Sequence, residues 1–303
     1  TEHTIIKEKI DIGDVHINKK MAVLTKQDKL LKVLGVESNR TEYDIDIYDE
    51  NESYHRLLPE INLDKWYYNN KTIPYTHNEY GYRCDNLSDI KDNDYGLSFG
   101  CSHTYGTGLF YEDTYAYKIS NELNVKNINL GMPASGIKVQ QYNTTLFVNN
   151  FASIRLPKYV IYQYPHDYRV SFANMKEDNN LELAQNPAEI SNVGINDDEY
   201  HESDYTQQFY LKNPGEKYLQ DLLVPLYLNN TWTSLGVPVY HITFGDDFPQ
   251  EYKSDYQYFN IEKIKRPNYG NQYLYYMARD LTHEGREFHD KVKEIILKKI
   301  KNG

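Results

Sequence analysis

The chain has 303 residues, with 44 Asp or Glu against 33 Lys or Arg, so its formal net charge at pH 7 is -11. An acidic surface repels nucleic-acid phosphates, and no apolar run approaches the roughly 20 residues that cross a bilayer, so neither a nucleic-acid partner nor a membrane span is expected. A chain of this length can bury a sizeable core, either as one large domain or as a domain with an extra module.

Residues 1–94 show no regular alternation of strands and helices. A short helix is predicted at 26–36, and segment 64–84 is typical of strands joined by Asn and Gly turns. The N-terminal stretch TEHTIIKEKI has no apolar core, so no signal peptide is expected. We interpret 1–94 as an accessory region that packs on the following domain.

From about residue 95, strand-like and helix-like stretches alternate. Strands are predicted at 95–99, 125–130, 158–164 and 237–244, and helices at 111–123, 137–151, 216–230 and 283–300. Pro225 is expected to bend or split the third of these helices. Because parallel strands need crossover connections, the pattern predicts an α/β domain over 95–303 with three layers, α/β/α, around a mainly parallel sheet. Two long segments directly follow predicted strands: an acidic insertion at 165–213 and a loop at 245–279.

The segment LSFGCSHTYGTG, residues 97–108, places Ser102 on a glycine corner directly after a predicted strand. Loops at the carboxyl ends of parallel strands form the sites of such sheets. A serine there can meet N–H groups that stabilise an oxyanion, but it needs a base to become a nucleophile. Asp280 and His283, three positions apart before the last predicted helix, can supply that base, because a carboxylate orients an imidazole and stabilises its protonated form.

Simpler interpretations exist for each residue. Ser102 alone would be a helix N-cap, and Asp280 with His283 would be a solvated helix start; their occurrence together favours the catalytic interpretation. His289, inside the last helix, is expected to pack against the domain. Cys101 is either a rival nucleophile or, as we favour, a small buried residue. Both cysteines, Cys84 and Cys101, are expected to be free thiols, and their spacing fits no metal site.

The segments resemble blocks of the SGNH/GDSL hydrolase superfamily over roughly residues 95–303. FGCSHTYGTG is similar to the family's first block, with Cys101 in place of the usual Asp, and Asp280-x-x-His283 resembles its last block. YTHNEYGYRCD (75–85) looks like the Asn-x-x-Gly-aromatic-Arg segment that precedes the serine block in some members. The resemblance implies a flavodoxin-like sandwich and ester hydrolysis or acyl transfer through an acyl-serine, without metal or cofactor. Ser102 would be the nucleophile, His283 the base and Asp280 its orienting carboxylate.

The resemblance also implies an oxyanion hole. The N–H of Ser102 would be one donor. In NLGMPASG (129–136) the position of the family's second-block glycine falls on Ala134, whose N–H would be another. A residue other than glycine keeps the donor but prevents the closest approach of a ligand.

The third block departs from the family pattern Gly-x-Asn-Asp. The third strand is followed by PHDYR, so His166 or Arg169 would have to replace the Asn as a donor, or the donor is absent. Asp167 would repel an oxyanion. A literal match, GIND at 194–197, offers Asn196, but no β-prone run precedes it.

The leading interpretation is therefore a serine esterase or acyltransferase that acts on short acyl esters, with O-acetyl groups of carbohydrates as the expected substrate class. The 31 tyrosines would suit sugar stacking, although they are also typical of a biased coding sequence. The alternative is a binding or structural protein that keeps the fold without efficient chemistry, for example in a viral or surface assembly. A cytoplasmic or virion-associated location is expected, and an oligomer is possible.

Overall fold

The structure, a computed structural model, describes residues 38–43, 52–133, 135–165, 173–175, 181–183, 214–243, 257–260 and 276–302. Its strands are β1 (Thr41–Tyr43), β2 (Pro74–Thr76), β3 (Tyr95–Phe99), β4 (Lys126–Asn129), β5 (Tyr159–Gln163), β6 (Ala173–Met175), β7 (Leu181–Leu183), β8 (Val239–Thr243) and β9 (Gln257–Asn260). Its α-helices are α1 (Glu52–Leu57), α2 (Ser102–Tyr105), α3 (Tyr115–Glu122), α4 (Ile137–Phe147), α5 (Pro214–Thr233) and α6 (Arg286–Asn302). None of the described helices is both long and apolar enough to cross a bilayer.

Within the described residues, the main sheet has five strands in the order β4-β3-β5-β8-β9, and every neighbouring pair is parallel. Counted by appearance along the chain this is the order 2-1-3-4-5, which is that of flavodoxin-like sheets. Leu97 at the centre of β3 lies opposite Ile128 of β4 and Val160 of β5. The predicted mainly parallel α/β sheet is confirmed.

Helices cover both faces of this sheet, which makes three layers. Alternate residues of β5 point to opposite faces: Tyr159 and Ile161 pack in one core with α3 and α6, whereas Val160 and Tyr162 pack in the other with α4 and α5. β5 is buried along its whole length, because a strand covered on both faces has no solvated side. The predicted α/β/α sandwich is therefore confirmed.

Most predicted elements of the α/β part form with small changes at their ends. Residues Tyr111–Asp113 form a 3-10 turn before α3, and α4 continues into a π-turn at Val148–Ala152. Helix α5 contains Pro225 without being split. The helix predicted from 283 begins at Arg286, because residues 276–285 form a hydrogen-bonded turn instead.

Three segments outside those elements differ from the expectation. The loop predicted at 245–279 contains β9, the edge strand of the sheet, and the insertion at 165–213 contains the antiparallel pair β6 and β7. Segment 64–84 has one short strand, β2, which pairs with β1, and otherwise forms 3-10 turns such as Leu63–Lys65 and tight bends. The predicted helix at 26–36 lies outside the described residues.

Residues 61–90 share a core with the sheet. Trp66, Ile73 and Tyr82 are buried in the same hydrophobic cluster as Leu97 of β3 and Phe147 of α4. This part of the N-terminal region therefore packs on the sheet through a large apolar contact. The boundary at residue 94 stays a prediction.

Many tyrosines are core residues whose hydroxyl groups have buried partners. The Tyr115 hydroxyl lies 2.6 Å from Thr104 Oγ1, that of Tyr159 lies 2.8 Å from Ser120 Oγ, and that of Tyr162 lies 2.6 Å from Thr144 Oγ1. A tyrosine can be buried at low energetic cost when its hydroxyl group finds a partner. The tyrosine-rich composition is thus partly explained by packing.

Buried neutral histidines should make the protein sensitive to acid. Burial lowers the pKa of His77 to about 4 and the pKa of both His241 and His289 to about 3. In the unfolded chain these groups titrate near 6.5, so below that pH protons bind the unfolded state preferentially. We expect the free energy of unfolding to be constant between about pH 7 and 8 and to fall as the pH drops from about 6.5 towards 4, as urea titrations would show.

Two matched variants compare the effect of removing a buried histidine and an exposed histidine on the pH dependence of stability. His77→Gln should reduce the slope of stability against pH over this window, whereas His55→Gln, at an exposed position, should leave the slope unchanged. Equal stability at pH 4.5 and 7.5 in the unmodified protein would contradict the prediction.

Candidate active site

The serine corner lies at the carboxyl end of β3, the second strand from one edge of the sheet. The chain leaves β3 at Gly100 and enters α2, whose first residue is Ser102. A Cβ at Gly100 would lie 1.9 Å from Thr104 Oγ1, so only glycine allows this helix to start so close to the strand. The N-cap position is Cys101 and has no side-chain capping bond, so the interpretation of Ser102 as an N-cap is wrong.

The Ser102 side chain instead contacts the far end of the chain. Its Oγ lies 2.7 Å from Nε2 of His283, 181 residues later, and both groups are largely buried. The other ring nitrogen, Nδ1, lies 2.5 Å from Oδ2 of Asp280. The structure therefore brings together the three side chains that the two sequence segments singled out.

Asp280 is fully buried and its second oxygen is also occupied. Oδ1 accepts hydrogen bonds from the backbone N–H groups of Thr282, at 3.1 Å, and of His283, at 3.0 Å. Because the carboxylate can only accept, Nδ1 of His283 must donate to it, and the remaining nitrogen of a neutral imidazole then accepts from the Ser102 hydroxyl. The interpretation of this segment as a solvated helix start is wrong, since the carboxylate has no solvent exposure.

The turn that carries the imidazole is closed by backbone hydrogen bonds. The N–H of Ala278 donates to the carbonyl of His283 at 2.8 Å, and that of Gly285 donates to the carbonyl of Tyr276 at 2.7 Å. Between Asp280 and His283, the buried Leu281 has a φ of 56°, in the left-handed region. That conformation costs roughly 1–3 kcal/mol for a residue other than glycine, so surrounding contacts must hold it.

Gly108 joins the serine segment to the turn. Its carbonyl accepts from the N–H of Arg279 at 2.9 Å, and its own N–H donates to the hydroxyl of Tyr75 at 2.8 Å. A Cβ at this position would lie 2.9 Å from the Cβ of Ala278 and 3.1 Å from the N of Asp280. With a φ of 71°, the residue combines a left-handed backbone with a close approach that leaves no room for a side chain.

Gly108→Ala is expected to lower the free energy of unfolding by about 2–4 kcal/mol and to separate Ser102 from His283. The matched control is Gly236→Ala, whose φ is 76° but whose Cβ would meet no atom within 4 Å. The control should lose only about 1 kcal/mol, from backbone strain alone. Urea unfolding of both variants isolates the contribution of the close approach, and equal losses would contradict it.

Arg83, in the segment 75–85, holds the turn that follows the serine. It is buried, and its guanidinium donates to the carbonyls of Pro74 at 3.0 Å, Gly106 at 2.7 Å and Leu109 at 2.7 Å while lying over the ring of Tyr75. These carbonyls belong to β2 and to the turn that follows α2. The resemblance to the family included this arginine but did not indicate its contacts. In the structure, its charged hydrogen bonds hold the serine segment in place.

Cys101 faces inward and is a packing residue in this structure. Its Sγ donates to Oε1 of Gln163 at 3.1 Å, and its N–H donates to the same oxygen at 3.1 Å. Gln163 ends β5, so these bonds tie the serine corner to the neighbouring strand. Cys84 is the second free thiol, and the prediction that both are free is confirmed. His289 also packs as predicted, since its Nδ1 accepts from the N–H of Tyr115 at 3.0 Å.

Of the predicted oxyanion donors, the structure describes only Ser102. Its N–H, on the first residue of α2, has no acceptor among the described residues. The second block lies against the corner, because the N–H of Met132 and the hydroxyl of Ser135 both donate to the carbonyl of Gly100, at 2.9 and 3.2 Å. The other candidates, Ala134, His166, Arg169 and Asn196, and the excluded Asp167, lie outside the described residues.

A further pair at this site was missed by sequence reasoning. Nδ1 of His103 lies 3.1 Å from Oε2 of Glu284, an ion-pair separation without the alignment of a linear hydrogen bond. The two residues directly follow Ser102 and His283. Their adjacency to the two motifs is the signal that could have suggested the pair. No group of three His, Cys, Asp or Glu side chains within the described ranges is arranged to hold a metal ion.

Comparison with known proteins gives a distant likeness in fold. No family model and no curated protein sequence matches the chain. Among solved structures, the chain is similar to that of a protein ascribed to the lipolytic G-D-S-L family from Desulfitobacterium hafniense DCB-2, at 12% sequence identity and a TM-score of 0.38. The match covers 68% of this chain and 99% of that one.

Proposed function

We propose that the protein is a serine-dependent ester hydrolase or acyltransferase that works through an acyl-serine intermediate. The observation that carries this proposal is the buried chain of contacts from Asp280 through His283 to the Ser102 hydroxyl. A nucleophile within hydrogen-bond reach of a base, which is itself oriented by a third group, is the arrangement that covalent acyl transfer requires.

In the proposed reaction, His283 Nε2 takes the proton of Ser102 as Oγ attacks the acyl carbonyl carbon. Asp280 stabilises the resulting imidazolium through Nδ1–H and does not itself take the proton. As the tetrahedral intermediate collapses, the bond to the leaving alkoxide breaks and His283 returns the proton to it. Water or a second alcohol, deprotonated by His283, then attacks the acyl-serine, and the proton returns to Ser102.

The oxyanion is the charge that this site must stabilise during both halves of the reaction. We assign the N–H of Ser102 as one donor, because it has no acceptor in the described part of the chain. Ala134 is proposed as the second donor, and His166, Arg169 or Asn196 as candidates for a third. A donor aimed at an oxyanion contributes roughly 10²–10³-fold to the rate, so a reduced hole would leave a slower enzyme.

Short acyl esters of carbohydrates, above all O-acetyl groups, are the substrate class that we propose. The tyrosine content lends this choice little support, because buried tyrosines such as Tyr115 and Tyr159 have their hydroxyl groups occupied inside the core. The substrate class therefore rests on the resemblance of the sequence blocks. Hydrolysis profiles with acetylated and longer-chain esters would compare acyl groups directly.

The proposed function is tested by a fluorophosphonate probe, whose phosphorus is attacked by an activated serine. We expect one adduct per folded chain, mapped to Ser102 by mass spectrometry, and no adduct after denaturation in urea. Modification of several serines in both states would reflect unspecific reaction. A folded protein that remains unlabelled would exclude an activated serine and favour a binding or structural role for this fold.

A further inference from the structure

The residues that follow Ser102 and His283 in the chain form a second contact across the same junction. The imidazole of His103 and the carboxylate of Glu284 are 3.1 Å apart, with 12% and 9% of their side chains exposed. The ring of His103 stands edge-on to that of His283, with centroids 4.8 Å apart and planes at 64°. The proposed reaction makes no use of either residue.

Their placement follows from the backbone on each side. Ser102 and His103 are the first two residues of α2, so both project from the same turn. Glu284 is held by an antiparallel bridge to Met277, next to the Gly285 hydrogen bond that closes the imidazole turn. Helix α2 and the turn at 276–285 are thus joined by two contacts, Ser102 with His283 and His103 with Glu284. Two contacts restrict rotation of one segment against the other, which a single hydrogen bond does not.

The pair also places charge beside the base. A largely buried carboxylate is unfavourable unless a cation compensates it, and His103 can supply that cation. Among the described residues, Asp280 on the same turn pairs with His283, and the charges of His103, Glu284 and Lys118 on α3 all act on His289 of α6. Burial keeps His289 neutral, with its pKa lowered to about 3. Lys118 is already paired with Asp290 at 2.8 Å and lies 3.8 Å from Asp113.

We propose that His103 and Glu284 are a positioning pair, which holds His283 against Ser102 and balances the charge beside the base. This inference rests on the proposed function, because the pair acts through His283. A carboxylate at Glu284 favours protonated His283, and an imidazolium at His103 opposes it. With both present, the two effects largely cancel.

The test is the titration midpoint of the His283 imidazole, followed by NMR of its ring nitrogens and assigned with His283→Gln. Glu284→Gln removes the nearby anion and should move the midpoint down by about half a pH unit or more. His103→Gln removes the nearby cation and should move the midpoint up by a similar amount. The double variant should return close to the original midpoint. Lys291→Gln, a charge change at an exposed position on α6, should leave it unaltered.

Any outcome other than two opposite shifts that cancel in the double variant overturns the charge balance.

If a single variant does not fold, as judged by circular dichroism, Glu284→Asp replaces it. Glu284→Asp keeps the negative charge but has a shorter side chain, so the contact with His103 is weakened. The titration midpoint of His283 should stay in place, whereas fluorophosphonate labelling of Ser102 should slow about tenfold or more. Unchanged labelling would overturn the positioning role. Labelling of the unmodified protein tests the proposed function separately, since the NMR titration needs no reaction.

Discussion

Ser102→Ala is expected to reduce the turnover of p-nitrophenyl acetate by about 10⁴-fold or more. The substitution removes the oxygen that attacks the ester carbonyl in the first step of the proposed reaction, and loss of a serine nucleophile is among the largest single effects known in hydrolases. The folded structure should be little changed, because the hydroxyl contributes one strong hydrogen bond, to His283, and a weak 4.0 Å contact with the sulfur of Cys101. Steady-state kinetics with a urea unfolding curve provides the measurement.

Cys101→Ala is the matched control for this prediction. The thiol adjoins the serine in sequence but donates to Gln163 rather than facing His283. Activity should therefore stay within about tenfold of the unmodified protein, with some loss of stability from the broken contact. If Ser102→Ala retained full turnover while Cys101→Ala lost it, the thiol would be the nucleophile and our assignment would be wrong.

Asp280→Asn is expected to lower turnover by about 10³–10⁴-fold. An amide at this position can donate to Nδ1 of His283, which leaves the proton of the neutral ring on Nε2, where the Ser102 proton must be received. The turn should persist, because the amide oxygen can still accept from the N–H groups of Thr282 and His283. Turnover measured across a range of pH values would show the loss at every pH.

The control for the carboxylate is Asp290→Asn. Asp290 lies on α6, is half exposed and pairs with Lys118 at 2.8 Å, so this variant removes the same charge without touching the imidazole turn. Exposed ion pairs contribute at most about 1 kcal/mol, and turnover should be unaffected. A comparable fall in turnover for both variants would show that net charge, and not the contact with His283, is responsible.

The fold could be predicted where apolar residues follow a clear period. β5, with the sequence YVIYQ, is buried on both faces and is β-branched or aromatic at most positions, so its type was evident. β9, with the sequence QYFN, is short and half polar, and it joins the sheet only because β8 offers an open edge. The prediction of strands in segment 64–84 failed because its buried aromatic residues, such as Trp66 and Tyr68, stand on turns and bends. Turns have no alternating apolar pattern by which the sequence could show that these residues are buried.

At the site, the sequence indicated which residue types to examine but not the contacts that hold them. Ser102, Asp280 and His283 were candidates because one chain rarely contains both a serine on a glycine corner and, further along, a carboxylate three positions before an imidazole. Nothing local to Gly108 shows that its carbonyl meets Arg279, because this contact joins positions more than 150 residues apart. The partners of Glu284 depend in the same way on how the two ends of the domain meet.

The distance along the chain between the hydroxyl group and its imidazole has a consequence during synthesis. When Ser102 emerges from the ribosome, the turn that bears His283 has not yet been made, and the parallel strands between them must first be laid down. A growing polypeptide therefore carries a serine hydroxyl without its imidazole partner, and the contact between the two forms only after the turn at 276–285 has been made and docks. Any reactivity that the proposed function assigns to Ser102 would accordingly arise only after these distant segments have met.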